Sequence, residues 1–183
     1  ALGFCVEVQR ELLRAPWSQE LLTMKGCEED ANGLWRGLRV SMAGAYGHEC
    51  FRKPLQASGR ADYFGSLPNM AARCMGQAWG GQILFRAEDT EGWFNALERR
   101  KSTGTRVLYA TTKNGGGGGE KILLTYRGRA NLKGIGPTPL VQVNGEDELS
   151  ARTFENLKAL VPENQYGKSR VIYSTLMQLD ANA

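Results

Sequence analysis

The stretch Ala61 to Phe85, ADYFGSLPNMAARCMGQAWGGQILF, decides how the chain is read. Ala61-Asp62-Tyr63-Phe64-Gly65 predicts a short strand ending in a glycine turn. Ser66 is a favoured N-cap residue, and Pro68 is tolerated in a first turn, so a helix is expected from about Leu67 to Ala78. Ala71, Ala72 and Met75 would give that helix a small-residue face for close packing. Gly80-Gly81 ends it, and Gln82 to Phe85 reads as a short buried strand. Asn69 and Arg73 stand four residues apart and project from one helix face. Asp62 lies one tight turn before the helix. A guanidinium suits a phosphate through bidentate, charge-assisted hydrogen bonds. An amide can hold a sugar oxygen, and a carboxylate can accept from an exocyclic amine. These residue types therefore fit a nucleotide corner. They fit equally a helix cap with a surface salt bridge, and residue types alone leave both open.

Outward from this unit, the chain alternates helical and β-rich segments. Residues 1–24 read as an amphipathic helix with an apolar stripe of Leu2, Cys5, Val8 and Leu12. Pro16 interrupts it, and Ser18 can cap a further turn or two through Leu22. Arg36 to Met42, RGLRVSM, has strand character with Leu38 and Val40 on one face, and Ala43 to Arg60 reads as an irregular surface stretch. Asp89 to Arg99 is expected to be helical, with Trp93 and Leu97 at i, i+4. Thr105 to Thr111 and Lys121 to Tyr126 form a long hairpin carrying Gly115 to Gly119 at its tip. Leu132 to Ile135 and Leu140 to Val143 continue the sheet, and Glu146 to Val161 is expected as a helix stopped by Pro162. Val171 to Leu179 suits helix or strand. This order implies an α/β or α+β sheet with helices on at least one face.

Composition removes several function classes. The chain has 183 residues, 42% apolar and 23% charged, with a net charge of +4. That is enough for one core, and too weak and mixed a charge for a nucleic-acid binder or a polybasic membrane anchor. No run approaches the ~20 apolar residues that span a bilayer. Cys5, Cys27, Cys50 and Cys74 include no CxxC pair, which argues against a zinc knuckle and favours reduced thiols in an intracellular compartment. His48 is the single histidine and no GxSxG accompanies it, which argues against a Ser-His-Asp hydrolase. The glycine tract is followed by Glu120, Lys121 and Ile122, where a P-loop needs Gly-Lys-Ser/Thr opening a helix. A flexible hairpin tip is the better reading.

The central segment resembles the class III adenylate/guanylate cyclase catalytic domain, in protist-type form. That family's pattern, roughly D-x-[WYF]-G-x-x-x-N-x-A-[AS]-R with a glycine turn and a strand such as GQILV, stands here without gaps. It reads Asp62-Tyr63-Phe64-Gly65, then Asn69, Ala71, Ala72 and Arg73, then Gly81-Gln82-Ile83-Leu84. RGLRVSM resembles the family's GLRVRMGIHTG strand. The opening ALGFCVEVQRELLRAPWSQELL resembles its preceding helix, and Leu132-Lys133-Gly134-Ile135 with Leu140 to Val143 resembles its closing hairpin.

The resemblance implies an α+β, ferredoxin-like nucleotide cyclase fold, a sheet with flanking helices, incomplete at its N-terminus. It covers residues 1–143 as a partial catalytic domain and leaves 144–183 as a C-terminal extension, helical at least to 161. It implies cyclisation of ATP to 3′,5′-cyclic AMP and pyrophosphate for intracellular second-messenger signalling. In that reading Asp62 accepts from the adenine amine, Asn69 orients the ribose and Arg73 stabilises the phosphates. Lys133 is a weaker candidate for a terminal-phosphate contact. The family's Mg2+ or Mn2+ ions bind through aspartates on strands that precede the first helix, so this chain is expected to hold no metal ligand and to be inactive alone. Its partners would be ATP and a second cyclase domain, as a homodimer or pseudo-symmetric pair, without nucleic acid or membrane contact from this segment. The expected location is cytosolic, including the cytosolic part of a membrane protein. Ser41 to Gly47, SMAGAYG, departs from the family's RMGIHTG. That departure supports a second reading, a non-catalytic cyclase-homology module that regulates or scaffolds a partner. A guanylate cyclase is a further alternative.

Overall fold

The computed structural model describes residues 2–48, 50–55, 59–91, 97–102, 105–111 and 121–162. Helix α1 (Leu2–Arg14) and a short α2 (Gln19–Leu22) open the chain. The Ser18 hydroxyl caps α2 by accepting from the Leu21 amide, as its position before the turn predicts. Strand β1 (Met42–Gly44) leads into a ribbon of β2 (Phe51–Pro54) and β3 (Ala61–Phe64). Then come α3 (Ser66–Gln77), β4 (Ile83–Arg86), α4 (Ala87–Glu91), β5 (Leu97–Ser102), β6 (Thr105–Thr111), β7 (Lys121–Leu132) and β8 (Gly136–Gly145). A 3-10 turn at Glu148–Ala151 and strand β9 (Leu160–Val161) complete the described elements.

The fold is α+β. One sheet runs β1-β4-β8-β7-β6-β5, with β9 pairing on β7, and β2-β3 stand apart as an antiparallel pair. β1 and β4 are parallel and joined through α3, while the other ladders are antiparallel. β4 is central, so its residues alternate between two covered faces. Ile83 and Phe85 join Leu2, Cys5, Val6, Val141, Val143 and Leu149 under α1. Leu84 joins Cys74, Ala78, Leu140 and Leu157 under α3.

β7 serves both faces because of one inserted residue. Ile122 and Leu124 point into the α1 core, whereas Ala130 and Leu132 point into the α3 core, although all four numbers are even. The register shifts between Tyr126, opposite Val141, and Gly128, opposite Leu140. Arg127 is the extra residue of a β-bulge, and an insertion of one residue exchanges the faces of everything after it. Gly128 takes the positive φ of 97° that follows the bulge.

Several expectations are corrected. The strand expected over 36–42 forms only at Met42–Gly44, and Leu38 and Val40 are exposed. Arg39 instead lies over the Trp35 ring at 4.9 Å, and the chain follows that packing until Met42 donates to the Gln82 carbonyl. The stretch 43–60 contains β2. The buried face of α1 is Leu2, Cys5, Val6 and Gln9; Gln9 turns it by donating to the Val40 carbonyl at 2.7 Å. In α3 the buried side chain is Cys74, while Ala72 and Met75 of the expected small-residue face are exposed and Ala71 is half-buried.

Among the described residues of the helix expected over 89–99, the helical ones belong to Ala87–Glu91, and Leu97–Ser102 pairs with Thr105–Thr111 as strand. Trp93, the Gly115 to Gly119 tract and Val171 to Leu179 lie outside the described residues. β7 runs on to Leu132, and 133–135 is the turn into β8.

The helix expected over 146–161 is absent. Asp147 caps one 3-10 turn, and the chain then extends as a strap. Arg152 is the reason. Its side chain is 7% exposed, donates to Leu34 O at 2.8 Å and Gln9 Oε1 at 3.0 Å, and stacks on Trp35 at 4.4 Å. Such tertiary contacts outweigh helix propensity. Burial draws its pKa down to about 10. Leu149 and Leu157 fill the two cores, so the packing has no break at Val143.

Candidate functional site

The site begins at the turn between β3 and α3. Gly65 occupies the N-cap position with φ 126° and ψ −173°, a region essentially restricted to glycine. The N-cap position thus falls to Gly65, which makes no side-chain cap bond, and Ser66, expected there, is the first residue of the helix. The glycine lets β3 stop and α3 start within one residue. Asp62 is thereby set on the last strand residues before α3, with Asn69 and Arg73 one and two turns into it.

Asp62 is half-buried, and its Oδ1 accepts from the Tyr63 amide at 2.9 Å. This local bond orients the carboxylate and leaves acceptor capacity on the group. Asn69 is exposed and Arg73 half-buried. Arg73 forms no ion pair with another described residue, so the surface salt bridge that offered a purely structural reading is not present. A half-buried guanidinium without a carboxylate partner has its fork of donors open to an anion.

Lys133 comes from elsewhere. It is exposed in the β7–β8 turn, which is closed by Ile135 donating to the Leu132 carbonyl at 2.9 Å. α3 packs beside β7, but no hydrogen bond or ion pair links Lys133 to Asp62, Asn69 or Arg73. The structure thus joins three of the four candidates in one strand–turn–helix unit and supplies the fourth from a separate hairpin.

Sequence reasoning missed Lys53. It lies on β2 directly opposite Asp62 in the antiparallel register. The two stand opposite in register without forming an ion pair. Phe51-Arg52-Lys53-Pro54 has no apolar/polar alternation and all four residues are exposed, so no local pattern marks the strand.

Among the described residues no three His, Cys, Asp or Glu side chains gather to hold a metal ion. All four cysteines are free thiols. Cys74 is fully buried beneath α3, and burial, reinforced by Asp89, pushes its pKa up to about 11. It is a packing residue, not a nucleophile. Asp89 itself is bound by Arg86 in a bidentate pair at 2.5 and 2.9 Å. Among the described residues no helix is long and apolar enough to cross a membrane.

No family model matches the chain. Adenylate cyclase of Mycosarcoma maydis is 35% identical over 127 residues, 67% of this chain. Adenylate cyclase of Neurospora crassa is 37% identical over 107 residues, 56% of the chain, and that of Podospora anserina 37% over 92 residues, 48% of it. The chain spans only 4–5% of the length of these curated relatives. Two solved structures of Trypanosoma brucei adenylate cyclases in their monomeric state align with TM-scores of 0.41 and 0.42, at 19% and 22% identity. They cover 86% and 87% of this chain and 57% and 58% of theirs. With the uninterrupted Asp62–Gly65–Asn69–Arg73 unit on one side and the fungal matches on the other, the chain is a relative of the adenylate cyclases that carries part of a cyclase domain.

Proposed function

We propose that this chain supplies the nucleotide-recognising side of a class III adenylate cyclase site. The observation that carries the reading is the β3–Gly65–α3 unit, with Asp62, Asn69 and an ion-pair-free Arg73 on one continuous piece of backbone. Asp62 accepts a hydrogen bond from the adenine amine and so favours ATP over GTP. Asn69 holds the ribose. Arg73 binds the phosphate chain and gains most as charge develops on it. The 3′-oxygen, giving up its proton, bonds to the α-phosphorus while the bond to pyrophosphate breaks. This yields 3′,5′-cyclic AMP and pyrophosphate. Fixed donors aimed at developing charge are the strongest lever available to such a site. Lys133 is a further contact for the leaving pyrophosphate. Mg2+ or Mn2+ belongs to residues outside those described, contributed by other strands or by a second domain across a two-fold interface. The family resemblance also supports an intracellular signalling role.

The 183-residue chain alone is then expected to make no cyclic AMP from ATP and Mn2+. A chimera in which it replaces the matched stretch of the Neurospora crassa cyclase is expected to make it. A silent chimera that folds and dimerises would contradict the reading and favour the non-catalytic module, as would turnover proportional to the chain alone.

A further inference from the structure

The end of α3 that lies away from Gly65 is held by a different part of the chain. Residues 152–161 run as a strap across the last turn of the helix. The Ala159 amide donates to Gln77 Oε1 at 2.8 Å. Lys158 Nζ donates at 2.9 Å to the carbonyl of Ala78, the C-cap residue of α3, and lies 5.1 Å from the centroid of the Trp79 ring. Trp79 Nε1 in turn donates to the Asn156 carbonyl at 3.0 Å. Leu157, 4% exposed, enters the core beside Cys74 and Ala78, with Met70 of the same helix packed alongside.

The strap is itself fixed to the sheet. Arg127, the bulge residue, donates to the Phe154 and Glu155 carbonyls at 2.9 and 2.7 Å. Asn131 donates to the Ala159 carbonyl at 2.9 Å, and β9 pairs with Arg129 and Ala130. Cys74 is the one fully buried side chain of the helix, with Met70 partly buried beside it, and the strap adds hydrogen bonds at the helix end to this packing. Lys158 satisfies a carbonyl that the helix terminus otherwise leaves open, and Gln77 satisfies an amide of the strap.

We propose that the 156–159 strap is a latch that sets the pose of α3, making Gln77 and Lys158 positioning residues for Asn69 and Arg73. This rests on the nucleotide-site reading only for its consequence, not for the latch itself. Coupling of this kind is reciprocal, so a ligand on Asn69 and Arg73 tightens the strap as much as the strap tightens the site.

Hydrogen exchange on the full chain tests it, with Lys158→Met and Gln77→Ala as latch variants and Lys158→Arg as the conservative control. Both latch variants are expected to speed exchange about fivefold or more at residues 73–78 and at 156–160, with β7–β8 amides unchanged. Lys158→Arg, which keeps a donor and a cation over Trp79, should restore the wild-type rates. Faster exchange confined to 156–160, with α3 unchanged, would overturn the latch, as would a general loss of protection. ATP titrated into wild type and Lys158→Met provides the second arm. ATP is expected to slow exchange at 156–160 in the wild type and to bind several-fold more weakly to the variant. Equal affinity in the two proteins would overturn the positioning role. If ATP fails to bind the wild type, the nucleotide-site reading falls, and the α3 exchange rates still decide the latch.

Discussion

The two faces of the sheet are covered in different ways. On one, α1 lays Leu2, Cys5 and Val6 over Ile83, Phe85, Val141 and Val143, and Arg10 ties the helix to Asp147. On the other, α3 contributes Cys74, and the cover is completed by Ala78 and by Leu157 from the strap. The first face is a helix packed on a sheet through a broad apolar stripe. The second is a narrowly buried helix flanked by irregular chain. The candidate site lies on the second, where Asn69 and Arg73 occupy helix positions left out of the core. A helix whose side chains are not consumed by packing has them free for a ligand.

The faces should respond differently to truncation. Phe85→Ala removes a ring that is 2% exposed from the α1 face and is expected to cost about 3–5 kcal/mol in denaturant unfolding. Leu157→Ala on the α3 face is expected to cost less, about 2 kcal/mol, because the strap can settle into the space. Equal losses would erase the distinction. Asp62→Cys, in the Neurospora chimera, acts on selectivity: losing a hydrogen bond to a charged acceptor should lower the ATP to GTP ratio of kcat/KM about ten- to a hundredfold. An unchanged ratio removes Asp62 from base recognition. Gly65→Ala forces a side chain into a glycine-only conformation and is expected to cost about 1–3 kcal/mol. A neutral melt there would mean that the turn relaxes easily and does not position the site.

The same contrast decides what was legible in the sequence. The strand–turn–helix unit, α1, β4 and the β6–β7 hairpin follow from local pattern, because periodicity and turn residues act over a few neighbours. The strap does not, because Arg152 is held by Leu34, Gln9 and Trp35, all more than a hundred residues away. Leu97 to Arg99 reads as the end of a helix locally and becomes strand through its partner β6. The bulge at Arg127 did leave a trace, since Gly128 interrupts a β-rich run and such a glycine marks a bulge. That Asp62, Asn69 and Arg73 share one strand–turn–helix unit was readable because their spacing is local. Lys53 was not, because only the β2–β3 register brings it opposite Asp62.

Arg73 provides the most direct test of the central claim, that the side of α3 left out of the core serves chemistry and not stability. In the chimera, Arg73→Ala should lower kcat by ~10²–10³ while KM changes little. The melting temperature should stay near wild type, since the half-buried Arg73 makes no ion pair with another described residue whose loss would cost stability. A kcat near that of the unsubstituted chimera, or a melt that collapses with it, would contradict the account.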